Sequence, residues 1–241
     1  MSGHSKWATT KHQKAAADAK RSNLFTKISN MISVAARAGG DPTMNFQLRL
    51  AMDKARSANM PKDKIEKAIK RGTGELGGAR IEEILYEAYG PTGTAILIEV
   101  LSDNRNRAAS EIKSVLNKLG GKLAGSGAVS YLFERNGEIR IKDELLDSAQ
   151  GKEKIEENII DSGAQDYEKI DDGYLVYCAP NELSNVKNSL HESGLEVQSA
   201  DLVFKPKTTV GLDEEASTKV IKMLHALDDL DDVANVSSNL G

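Results

Sequence analysis

"GYLVYCAPNELSNVKNSLHESGLEVQSADLVFK", residues 173–205, reads as a strand, a helix and a strand. Immediately before it, "DYEKI" (166–170) is a further strand, joined through the turn residues Asp171-Asp172-Gly173. "KEKIEENIIDSG" (152–163) is a helix and "GEIRIK" (137–142) a strand. Residues 138–205 therefore spell βαββαβ, one complete ferredoxin-like unit.

The flanks carry their own periods. Upstream, "EILYEAYG" and "TAILIEVL" are strands joined by "GPTG", and "NRNRAASEIKSVLNKLGG" is a helix with Ile112, Val115, Leu116 and Leu119 on one face. "GAVSYLFE" is the next strand, which makes ββαβ. Downstream, "DEEASTKVIKMLHALDDL" and "DDVANVSS" supply a helix and a strand with no partners of their own. They complete the sheet begun at 83, so the βαββαβ unit is an insertion.

Residues 22–72 read as three short helices. The first has Leu24, Ile28, Met31 and Ala35 at helical spacing, with Ser22 as its N-cap and Gly39-Gly40 as its end. The second carries Met44, Leu48, Ala51 and Ala55. The third starts at Pro61, runs through Ile65, Ala68 and Ile69, and stops at Gly72. Ahead of them, residues 1–21 have little to bury and form a weakly anchored arm. "RGTGELGGAR" (71–80) contains a literal G-x-G-x-x-G at Gly72, Gly74 and Gly77, but a helix precedes it and a strand follows, the reverse of a dinucleotide fingerprint. It reads as a linker.

The expected fold is thus α+β in three domains, a basic N-terminal helical bundle plus two ferredoxin-like α/β domains, one inserted in the other. Their bounds are 1–78 for the arm and three-helix domain, 79–135 plus 206–241 for the discontinuous domain, and 136–205 for the insert.

Charge divides the chain more sharply than composition does. The total is -4, yet residues 1–72 hold fifteen Lys/Arg against five Asp/Glu, a net of +10, and the remainder carries -14. Such bipolarity points to a polyanion partner for the basic part, with nucleic acid first, and to repulsion of that partner by the acidic part. No apolar run approaches the roughly 18 residues of a membrane span, and no apolar core of a signal peptide is visible, so a cytoplasmic protein is expected. Cys178 is the only cysteine, and it sits in a strand pattern that favours a buried thiol.

Candidate contacts follow from charge and stacking. Lys6, Lys11, Lys14, Lys20, Arg21 and Lys27, with His12 and Trp7 among them, form a leader in which only Asp18 is acidic. Lysines and arginines bind phosphate by displacing condensed counterions, and an indole offers a face for an unpaired base. Trp7 fits equally a packing role that pins the arm. Arg105 and Arg107 fall in the first turn of a helix, against the dipole, where two arginines and free amides would hold phosphate or carboxylate. The competing reading is neutralisation by Asp103 or by a neighbouring acidic surface. Lys122, among glycines in "LGGKLAGSGAVSY", lacks the G-K-[ST] ending of a phosphate loop; a flexible turn, its amides open to a ligand, is expected there.

No enzyme signature appears. His4, His12, His191 and His225 are scattered, no H-E-x-x-H or G-x-S-x-G occurs, and Asp228, Asp229, Asp231 and Asp232 read as a solvated acidic turn. No catalytic residue, metal or cofactor is expected. The strands also lack the aromatic run of an RNA-recognition domain.

"GHSKWA", "KHQKAAADAKR", "NMPKDKIEKAIKRGTG", "YEAYGPTGTAILIEVLSDNRNRA" and "GAVSYLF" resemble, in order and across nearly the whole chain, the signature blocks of the YebC/PmpR family. Thr9-Thr10, Ala88 and Ala108 depart from the usual pattern without removing a basic residue or Trp7. The resemblance implies a three-domain α/β architecture and a DNA-binding transcriptional regulatory protein. Related mitochondrial proteins act as translational activators and some bacterial ones as ribosome-associated factors, so the alternative implied is a translation factor on ribosomal RNA or tRNA. The acidic domains would face a protein partner.

Overall fold

The computed structural model describes residues 18–142, 149–170 and 172–241. In chain order the elements are α1 (Asp18–Ala35), α2 (Phe46–Ser57), α3 (Lys62–Thr73), β1 (Glu82–Tyr89), β2 (Ala95–Ser102), α4 (Arg105–Lys118), β3 (Lys122–Leu123) and β4 (Phe133–Lys142). There follow α5 (Ala149–Asp161), β5 (Asp166–Ile170), β6 (Gly173–Cys178), α6 (Leu183–Glu192), β7 (Glu196–Pro206), α7 (Glu214–Asp228) and β8 (Val233–Ser238). Two compact units emerge, one running to Phe133 and resuming at Pro206–Gly241, the other Glu134–Lys205. No helix of the described residues is long and apolar enough to cross a membrane.

In the first unit, α1, α2 and α3 pack around Ile28, Ile32, Leu48, Ala55, Ile65 and Ala68. Asn45 organises the turn between α1 and α2. Its side chain accepts the Leu48 N–H at 3.1 Å, capping α2, and donates to the carbonyls of Ala35 at 2.7 Å and Gly39 at 2.8 Å. Gly72 lets α3 lie close on α1, because a Cβ there would stand 2.3 Å from the Ser33 carbonyl oxygen. Helix α1 begins at Asp18, so Ser22 is an interior residue and not the N-cap expected for it. Good helix formers precede Ser22, which places it inside the helix.

The same unit holds the sheet β3-β1-β2-β8. β1 and β2 pair antiparallel from Glu82↔Ser102 to Tyr89↔Ala95, and α4 and α7 supply Ile112, Leu116, Val220, Leu224 and Leu227 to its core. Two expectations need correction. This sheet is not ferredoxin-like: its first two strands are a hairpin and occupy the centre side by side, whereas a ferredoxin-like order keeps the first and second strands apart. And only the last two residues of "GAVSYLFE", Phe133 and Glu134, are strand, as the start of β4; the strand after α4 is the short β3, and residues 127–132 are a turn ending in the 3-10 helix Ser130–Leu132. The buried carboxylate of Glu87 explains the loop. It accepts the N–H groups of Gly127 at 2.6 Å, Val129 at 2.6 Å and Ser130 at 2.9 Å, donors that a ladder would otherwise require.

The second unit has the order β5-β6-β4-β7, which places its first and third strands in the centre, the ferredoxin-like arrangement. Ile139, Ile141, Ile155, Ile159, Leu175, Val176, Val186 and Leu190 are among its buried aliphatics. The chain leaves and rejoins the first unit at adjacent points, where the Lys207 N–H donates to the Leu132 carbonyl at 2.9 Å.

Candidate nucleic-acid interface

Helix α3 carries the densest group of exposed cations among the described residues. Pro61 precedes it, Asp63 stands in its first turn, and Lys70 and Arg71 in its last turn complement the negative end of the dipole. Ile65 and Ala68 turn inward, which leaves Lys62, Lys64, Lys67 and Lys70 exposed. Lys64 lies over the Phe25 ring at 5.2 Å. None of these four makes an ion pair among the described residues, and neither Asp63 nor Glu66 binds to them. Gly74, at φ 87°, ends the helix in the left-handed conformation.

Lys6, Trp7, Lys11, His12 and Lys14 lie outside the described residues. Lys20 and Arg21 fall in the first turns of α1. Lys27 is turned to internal use: its ammonium donates to the Asp228 carbonyl at the end of α7. Asn23 donates to the next carbonyl, Asp229, at 2.7 Å, and Asn30 to the Leu101 carbonyl at 3.0 Å. The acidic turn after α7 thus serves α1 through its backbone.

The two arginines at the start of α4 part company. Arg105 is exposed. Arg107 instead binds Asp232 through Nε at 3.1 Å and Nη2 at 2.9 Å, Asp103 at 3.1 Å and the Ser102 hydroxyl at 3.3 Å. Hydrogen bonding to Asp232, and its charge, raise the Arg107 pKa. Asp103 is shared, for it also accepts Arg71 at 3.2 Å. Asn104 caps the helix by accepting the Arg107 N–H at 3.0 Å. Of the expected Arg105–Arg107 pair, one guanidinium is therefore neutralised within the unit, and one amide of the helix end is already capped.

The amides expected to stand open in the glycine loop are likewise occupied, at Gly127, Val129 and Ser130, by Glu87. Cys178 is buried, and burial followed by the charge of Glu182 pushes its thiol up to about 11, the behaviour of an inert core cysteine. Sequence reasoning missed the group around Arg37, Arg71 and Arg80. The only local signal was that the glycine-dense joint both opens and closes with an arginine.

Fold and charge together define a mixed α+β protein of two four-stranded sheets, with a cationic three-helix segment at its front. The chain belongs to the TACO1/YebC family: its residues 5–75 match the TACO1/YebC protein N-terminal domain and residues 81–240 the TACO1/YebC second and third domain. A relative from Treponema denticola is 49% identical over 241 residues, covering 100% of this chain and 96% of its own. One from Bifidobacterium animalis subsp. lactis is 51% identical over 99% of this chain and 94% of its own. Both bear the name "probable transcriptional regulatory protein". The crystal structure of a conserved hypothetical protein from Aquifex aeolicus superposes with a TM-score of 0.89 at 44% identity, over 98% of this chain and 97% of that one.

Proposed function

We propose that this protein is a nucleic-acid-binding regulator of gene expression that holds DNA through its basic N-terminal segment. The observation that carries the reading is the group of exposed lysines on α3, Lys62, Lys64, Lys67 and Lys70, none of which has a carboxylate partner among the described residues, in a segment of net charge +10 over residues 1–72. Cations left without internal carboxylates are the groups that gain most by displacing counterions from a phosphate backbone. The leader residues Lys6, Trp7, Lys11, His12, Lys14, Lys20 and Arg21 are, by residue type, further contacts of the same kind, and Arg105 adds an exposed charge. Lys27 and Arg107 are left out because each has an internal acceptor. The regulatory names of the relatives agree with a cytoplasmic protein of this kind, and no reaction is assigned to it.

The test is binding of a mixed-sequence DNA duplex across a salt series. Log K is expected to fall linearly with log[salt], by a slope of about 0.9 per neutralised phosphate. Lys67→Glu with Lys70→Glu is expected to weaken binding about tenfold or more at low salt. A wild-type chain that fails to hold DNA at low salt would overturn the reading. Crosslinking in cells that recovers ribosomal RNA and no chromosomal DNA would move the target to the ribosome.

A further inference from the structure

The glycine-dense joint between α3 and β1 does more than connect them. Residues 74 and 77–81, with Ser33 from the last turn of α1, Arg37 from the 3-10 turn Ala36–Ala38 that follows it, and Arg71–Thr73 from the end of α3, line a recess of about 350 Å³. Three arginines contribute to the lining: Arg37, Arg71 and Arg80. Arg37 Nη2 is buried and has no hydrogen-bond partner among the described residues, which leaves a charged donor unsatisfied. The backbone amides of Gly78, Ala79 and Arg80, which follow the left-handed Gly77 at φ 61°, donate to no acceptor among the described residues. Consecutive amides of this sort form anion-binding concavities.

A plainer account is that these arginines neutralise the carbonyl ends of the two helices that converge here. The magnitudes decide against it. Two helix C-termini contribute about -0.5 each, and Asp103, paired with Arg71, contributes one more negative charge. Three guanidiniums exceed that sum by about one positive charge. Glu75, the acidic residue of the joint, keeps its charge on accepting the Thr73 hydroxyl at 2.8 Å at the edge of the recess, but among the described residues it forms no ion pair with Arg37, Arg71 or Arg80. Arg71 follows the exposed Lys67 by one helical turn, so the recess continues the cationic row of α3.

We propose that this recess seats one phosphate group of bound nucleic acid, with Arg37 and Arg80 as its charge-assisted donors and the Gly78–Arg80 amides beside them. The inference rests on the nucleic-acid reading above and names the place where the backbone is gripped, as distinct from the lysines that attract it over a longer range.

The experiment compares wild type with Arg37→Gln/Arg80→Gln, with Arg80→Gln alone, and with the distant surface control Lys113→Gln, in the DNA salt series. Thermal melts accompany each. The double variant is expected to lower the magnitude of the salt slope by about one, as the loss of a single phosphate contact requires, and to weaken binding about tenfold at low salt. Arg80→Gln, at an exposed site whose melt should be unchanged, is expected to show part of this loss, and Lys113→Gln none. If wild type binds DNA and both arginine variants keep its slope and affinity, this inference fails and the functional reading stands. If wild type binds no DNA, the functional reading fails and takes this inference with it. A final arm titrates inorganic phosphate as a thermal-shift ligand: stabilisation abolished by Arg37→Gln/Arg80→Gln with the DNA slope intact would assign the recess to a free phosphorylated molecule and overturn the proposal.

Discussion

Glu87 is a buried carboxylate in β1, on the face opposite Ile84 and Ala88, and its ionisation is what the loop at 127–130 rests on. Burial alone would raise its pKa, but hydrogen bonds from the amides of Val129, Gly127 and Ser130 outweigh burial and hold the pKa below its ordinary value of 4.5. A depressed folded pKa means stability that is fully present above the unfolded value and lost as pH falls through the folded one. Glu87→Gln should therefore destabilise the chain by about 2 kcal/mol at neutral pH in a urea titration. It should also reduce the loss of stability that wild type shows on acidification below 4.5. Arg107 teaches a related lesson. Its position against the helix dipole was legible in the sequence, but its partner Asp232 lies 125 residues away, beyond any local pattern. The Asp232 side chain is 9% exposed and that of Arg107 47%, so solvent screens one side of the pair. Asp232→Ala should cost about 1–2 kcal/mol in the same titration.

Among the elements, α1 does two jobs. Its inner face fills the helical core with Ile28 and Ile32, while Asn23, Lys27 and Asn30 tie it to the carbonyls of Asp229, Asp228 and Leu101. Helical spacing located the helix from the sequence, but it could not show that polar residues bind a second element, since Asn30 looks like any surface asparagine until its neighbour is known. Asn30→Leu leaves the buried Leu101 carbonyl without this donor and should cost about 1–3 kcal/mol, read as a lowered urea midpoint at unchanged m-value. The strands show the same division. β1, β2, β6 and β8 were legible from their apolar runs and turns. β3 was not, because two residues carry no period, and the loop before β4 was misread because its apolar residues mimic alternation while its amides belong to Glu87.

At the scale of the molecule, two compact units share one chain, each with its own apolar core. Domains of this size usually melt as cooperative units, so calorimetry should resolve two transitions, and Leu175→Ala in β6 should lower one of them while leaving the other in place. A single transition shifted as a whole would show that the units unfold together. The charge asymmetry was fully legible from composition, because counting needs no geometry. Which cations are spent internally was not, because that depends on carboxylates and carbonyls brought in from the far end of the chain.

The strand β8 also sets a timetable. Ala95, at the start of β2, donates to the side chain of Asn239 across 144 residues, so the flank of β2 that β8 covers stays bare on the ribosome until β8 is made. At roughly 5–20 residues per second that interval is on the order of ten seconds, during which the inserted module can finish folding. Chains that stop short of β8 should therefore be sticky, chaperone-bound products, even when they contain every other strand of the sheet.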